Sequence, residues 1–336
     1  MDRVKYIGYT CSYTPVEILS ATGYQPYRLM HGTVDLARRS DDRLRIDACP
    51  LVKSNVSFIR ENRDRFTALV GTTGCDMARR MFDVLDHATG LPLFLVNNPR
   101  TDSYQMYSDE IDWLTREMQR FSRKEIDDRT LKPEIERWEE ARDRLRDIDE
   151  QRAALPSRVS IVEFQRSAEC YLTGRILDIP RTFKREPADK PRVYLLGSPL
   201  VYEAVTLLEL FESRLRIVGD FNCGLSRILG VRVQDPCLEG LKQAYYYQPP
   251  CVFKRPNKGF YDRIGARVRD LRCAGVVAYT LDYCDCHEFE LKKIERILNL
   301  PLLKVRSDLS MQNLSQLKVR IEAFAEMIGA SCGAEK

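Results

Sequence analysis

The chain has 336 residues, 44% of them apolar and 30% charged, with a formal net charge of +4. That length exceeds one ordinary core and suits two domains of ~150 residues each, and the composition is that of a soluble globular chain. The small charge excludes a nucleic-acid partner from the expectations, no apolar run nears the ~20 residues that span a bilayer, and the opening "MDRVKYIGYTCSYTP" lacks a signal peptide's layout, so a cytoplasmic protein with no membrane association is expected.

In chain order, "VKYIGY" predicts a strand, and "TPVEILSATG" a helix opened by Thr14 and Pro15 and closed at Gly23. "TALVG" predicts a second strand, "CDMARRMFDVLDHATG" a helix stopping at glycine, and "LPLFLV" a third strand ending at Asn97. Short apolar runs alternating with helices predict a parallel sheet covered on both faces. From Asp109 the character changes. "EIDWLTREMQRFSRKEI" and "LKPEIERWEEARDRLRDIDEQR" predict charged helices, the second with Ile135, Trp138, Leu145 and Ile148 on one packing stripe and its charges on a solvated face. Alternation then resumes: "RVYLLGS", "RIVGD", "GVVAYTL" and "LPLLKVRSD" predict strands, with helices at "LVYEAVTLLELFESR" and "GFYDRIGARVRDLRC". A last helix carries Leu314, Leu317, Ile321, Phe324 and Ile328 at alternating spacings of three and four. The expectation is an α/β protein of two doubly wound, Rossmann- or flavodoxin-like lobes with parallel sheets, spanning 1–108 and 191–336, joined by a helical bridge at 109–190.

The anomaly is eleven cysteines, an odd number and, in a reducing compartment, no disulfide framework. Cys11, Cys75, Cys223 and Cys284 each follow a predicted strand, at the edge where open α/β sheets bind ligands. Cys49 in "DACPLVKS" and Cys251 in "QPPCVFK" fall in stretches read as proline-containing loops. Thiolates select zinc or iron–sulfur clusters, and no paired Cys-x-x-Cys zinc motif is present. An iron–sulfur site assembled between the lobes is the leading reading, with zinc and plain core cysteines as the alternatives. Cys170, Cys237, Cys273 and Cys332 read as packing residues.

"YTCSYTPVEILSATGYQPYRL", "CPLVKS", "GCDMARRMFD", "GDFNCGLSRI", "YCDCHEFELKKIERILNLPLLKVRSD" and "LKVRIEAFAEMI" occur in that order. Together they resemble the iron–sulfur subunits of the 2-hydroxyacyl-CoA dehydratase and benzoyl-CoA reductase family, whose superfamily includes the double-cubane cluster proteins. The resemblance implies a [4Fe–4S] cluster held by Cys49, Cys75 and Cys284 with one iron open, and contact of Ser12 with a substrate thioester. It also implies radical dehydration or reduction of an acyl-CoA by a low-potential electron from a separate ATP-dependent iron–sulfur activator, alongside a homologous second subunit. This chain has no G-x-x-x-x-G-K-[ST] loop of its own. Cys11, Cys223, Cys251 and Cys286 leave open a second cubane, hence a homodimeric double-cubane [8Fe–9S] reductase of small molecules. A non-catalytic accessory subunit is the third reading, motivated by a length below that expected of the family. His287 is read either as a proton donor at the cleft or as a helix cap. Tyr245, Tyr246 and Tyr247 could line an aromatic pocket, and Asp220 and Arg227 could bond across the cleft or pair with each other.

Overall fold

Two four-stranded sheets, all strands parallel, frame the protein, here described from a computed structural model at residues 4–183, 190–310 and 313–333. The first contains β1 (Tyr6–Tyr9), β2 (Gln25–Arg28), β3 (Phe66–Thr72) and β4 (Leu93–Val96) in the order β2-β1-β3-β4. Its connections are α1 (Val16–Ala21), α2 (Val34–Arg38), α3 (Pro50–Glu61) and α4 (Asp76–Thr89). The middle of the chain is helical: α5 (Tyr104–Ser122), α6 (Asp128–Ala153) and α7 (Ile161–Leu172). The second sheet contains β5 (Arg192–Gly197), β6 (Arg216–Asp220), β7 (Gly275–Leu281) and β8 (Leu302–Ser307) in the order β6-β5-β7-β8, with α8 (Val205–Glu212), α9 (Leu238–Tyr246), α10 (Lys258–Asp270), α11 (Asp285–Leu298) and α12 (Leu314–Gly333). Counted within each lobe, both orders are 2-1-3-4, so the architecture is used twice, as expected.

The predicted strands appear because their residues are apolar throughout. β7 buries all seven, which is what a central parallel strand covered on both faces requires. Four elements escaped the sequence reading. β2 is short and contains Pro26, α2 is barely more than a turn, and α9 carries the tyrosine run. The fourth is a correction: Cys49 does not sit in a loop but heads α3, with Pro50 as its first residue. Proline is tolerated there because the first turn has no use for its missing N–H.

The charges of α6 are also corrected. Its apolar stripe is buried as predicted, yet Arg142 and Arg152 are wholly buried as well and Arg146 nearly so. Arg142 Nη1 donates to Glu17 Oε1 on α1 at 2.7 Å, and Arg152 Nη2 to Asp220 Oδ2 at the end of β6 at 2.7 Å. The bridge helix thus holds one lobe at each arginine, and the pairing is what lets these charges leave water. Its N-terminus is closed by a capping box between Asp127 and Thr130. Asp127→Ala should remove this cap and lower the urea midpoint at unchanged slope. Among the described residues, no helix is long and apolar enough to cross a membrane.

Candidate functional site

Parallel strands deliver their carboxyl ends to one edge. Tyr9 pairs with Val70 and Arg28 in the first sheet, as Leu195 does with Asp220 in the second. Between the two edges lies a cavity of about 170 Å³. Seven of the eleven cysteines line it: Cys11, Cys49, Cys75, Cys223, Cys251, Cys284 and Cys286, together with Ser12 and His287. The nine residues read as ligands or catalytic groups therefore line one cavity. The remaining wall is largely apolar, with Met30, Val52, Phe221, Phe253 and Leu281 among its members.

Cys49, Cys75 and Cys284 share a local setting. Each is the residue immediately before a helix, preceding α3, α4 and α11 respectively. A helix start points unpaired N–H groups and the positive end of its dipole at what precedes it, which suits a negative sulfur. Burial acts the other way, pushing the Cys49 thiol up to about 12 and the Cys284 thiol to about 11. The three also oppose one another's ionisation: Cys49 is influenced by Cys284 and Cys75, and Cys284 by Cys75. Cys75 is the exception, drawn down to about 6 by a hydrogen bond from the Cys286 thiol, which is itself held protonated. Thiols that resist ionisation in a dry site give up their protons when a metal centre binds, so occupancy here would be coupled to proton release.

Among the described residues, no three such side chains stand close enough to clasp a single metal ion. The seven thiols are instead distributed around the cavity wall. Close backbone packing sets this wall. Gly197 has φ +122°, and a Cβ there would lie 1.7 Å from the carbonyl oxygen of Tyr279, so no other residue fits. The next residue, Ser198, is fully buried, accepts from the Leu281 N–H at 3.0 Å and hydrogen-bonds the Cys284 sulfur.

Two arginines that were not identified as a pair complete the site. Arg28, the last residue of β2, donates through Nη2 to the Cys223 sulfur at 3.1 Å. Arg227, in the 3-10 turn at Ser226–Gly230, donates to Ser12 Oγ at 2.5 Å and lies over the Tyr13 ring. Each is buried, and among the described residues each leaves its Nε–H without a partner, an omission that ordinarily costs about 1–3 kcal/mol apiece. The sequence signal for Arg28 was a cation inside the apolar run "YRLM", invisible as a strand end because β2 itself was missed. Gln248 and Tyr13 tie the Cys251 loop to the first lobe: Gln248 Nε2 donates to the Ser12 carbonyl at 3.0 Å, and Tyr13 OH accepts from the Cys251 N–H at 3.2 Å.

His287 sits in the first turn of α11, where burial and the Arg227 charge push its imidazole down to about 4, so it is neutral at pH 7. Asp220 does not pair with Arg227 but is taken by Arg152. The three tyrosines line no part of the cavity. Tyr245 hydrogen-bonds Glu17 at 2.9 Å, Tyr246 bonds Asp102, and Tyr247 is exposed. Cys170, Cys237 and Cys273 also stand apart from the cavity, and the Cys332 side chain lies outside the described residues.

A twice-used parallel sheet presenting thiols across an interlobe cleft defines an α/β protein with a cysteine-lined cavity at its sheet edges. The chain belongs to the family of 2-hydroxyglutaryl-CoA dehydratase D-components, whose model matches residues 11–328, and it is thus a dehydratase-type subunit. It is similar to YjiM of Escherichia coli (strain K12), named as a candidate dehydratase subunit, at 21% identity over 97% of this chain and 92% of that protein. It is likewise similar to the (R)-phenyllactyl-CoA dehydratase beta subunit of Clostridium sporogenes, at 19% identity over 96% of this chain and 92% of that one. The chain spans about 92% of the length of each of these relatives.

Proposed function

We propose that this chain is the cluster-bearing subunit of a 2-hydroxyacyl-CoA dehydratase-type enzyme, with a [4Fe–4S] cluster held by Cys49, Cys75 and Cys284. The observation that carries the proposal is the convergence of three helix-heading cysteines on one apolar cavity from turns far apart in the chain. The partnerless Nε atoms of Arg28 and Arg227 support it, because a cavity with two buried cations is suited to an anionic occupant. When bound, the cluster supplies an open iron as a Lewis acid and a path for a low-potential electron.

The chain's own residues do the rest. Ser12 Oγ accepts from Arg227, which leaves the hydroxyl proton free to point into the cavity and bond a thioester carbonyl there. The apolar wall excludes water, and His287, neutral at pH 7, forms part of it. The electron comes from a separate ATP-dependent activator, and a homologous second subunit completes the enzyme.

A second reading has its own observation. Cys11, Cys223, Cys251 and Cys286 line the same cavity as the first three, enough sulfur for a double-cubane [8Fe–9S] centre in a homodimeric reductase. Iron and sulfide per chain after anaerobic purification separate the two. About four irons supports the dehydratase reading and about eight the double cubane. Folded protein with no iron ends both. Titration with a 2-hydroxyacyl-CoA thioester adds a further test, as only the first reading expects binding.

A further inference from the structure

We propose that Arg28 and Arg227 are the counter-charges of the cysteine cavity, positioning residues that raise the reduction potential of the cluster bound there. The inference rests on the reading that a cluster occupies the cavity. It starts from how this chain treats its other buried arginines. Arg142 is given Glu17, and Arg152 is given Asp149 and Asp220. Arg28 and Arg227 are as deeply enclosed, at 2% and 4% exposure, yet among the described residues neither meets a carboxylate. Among the described residues, Arg28 hydrogen-bonds the carbonyl and sulfur of Cys223, and Arg227 the hydroxyl of Ser12 while lying over the Tyr13 ring. Cysteine and tyrosine side chains face both, with Cys223 and Cys11 acting on each and Cys251 on Arg227.

A folded chain does not retain two dry, uncompensated cations at one cavity unless something negative completes them. Thiolate ligands around a cubane provide that negative charge, and a one-electron reduction adds one more. A fixed positive charge a short distance away in a low-dielectric wall therefore stabilises the reduced form more than the oxidised form. Removing it should shift the potential downward.

The two arginines are also reciprocal. Arg28 reaches from the first lobe to Cys223 in the second, while Arg227 reaches from the second lobe to Ser12 in the first. A purely mechanical role, pinning the lobes together, is thus the competing explanation, and the test must separate the two.

The experiment compares wild type with Arg28→Gln, Arg227→Gln, the double variant, and Arg28→Lys and Arg227→Lys. All are purified anaerobically, assayed for iron and sulfide, and titrated with reductant under spectroscopic observation. The expected result is wild-type iron content in the glutamine variants with a potential lowered by a tenfold change in the reduction equilibrium per charge removed, about 59 mV for one electron. The double variant should show both shifts, and the lysine variants, which keep the charge, should stay near wild type. A full cluster whose potential ignores the glutamine substitutions overturns the inference and leaves the cluster reading standing. Should the glutamine variants not fold, the lysine pair decides: loss of iron or a lowered potential there overturns the role of charge. A wild-type chain that carries no cluster removes the reading on which the inference rests.

Discussion

Serine in place of Cys75 should leave the anaerobically purified chain with far less iron than the about four atoms expected of the wild type. Three features make this position the sensitive one. Cys75 heads α4, so its sulfur faces the start of a fourteen-residue helix. It is the cavity thiol drawn down to about 6, by its hydrogen bond from Cys286, whereas burial holds Cys49 and Cys284 above their ordinary range. It is also exposed, where Cys49 is buried. A serine oxygen is a harder and far less acidic donor than a thiolate, and it binds iron in a cubane poorly. Iron content and the charge-transfer absorption of the cluster measure the effect. Unchanged iron in Cys75→Ser would show that the ligands are drawn from the other cysteines of the cavity, and Cys251 and Cys286 would be the next substitutions to make.

Arg142→Met should destabilise the chain by about 3–5 kcal/mol, read from the urea midpoint. Arg142 and Glu17 are both at 0% side-chain exposure, paired at 2.7 Å. Arg142 also donates to Tyr171 OH at 2.8 Å, and Glu17 accepts from Tyr245 OH at 2.9 Å. Removing the guanidinium leaves a carboxylate with no water and no cation, and that desolvated charge is the source of the penalty. The control is the double variant Glu17→Gln with Arg142→Met, which removes both charges and should recover a large part of the loss. If the single substitution costs no more than a surface change, this ion pair does not fasten α6 to the first lobe.

The sequence was most legible where local chemistry and periodicity agree. Strands such as "GVVAYTL" are apolar at every position because both faces are covered, and a run of that kind cannot settle anywhere but a buried parallel sheet. Helix stops at Gly23 and Gly90 were equally readable, since both adopt positive φ, at +84° and +58°. The cysteines following the strands were legible for a related reason: strand ends in a parallel sheet share an edge, so order along the chain already implies neighbourhood in space.

What local reading missed depended on partners distant in sequence. Pro50 looked like a loop residue because proline breaks most helices, and only the assembled α3 shows it at the one turn that accepts it. The arginines of α6 looked like a solvated face because charge is normally exposed, and nothing local announces that Glu17 and Asp220 will arrive to meet them. The strand ends and their sulfurs were thus determined by sequence alone, through periodicity and burial. Which thiols, hydroxyl and cations share one cavity was decided only by tertiary structure, because side chains up to 215 positions apart, Ser12 and Arg227, become bonded neighbours when the two sheet edges close on each other.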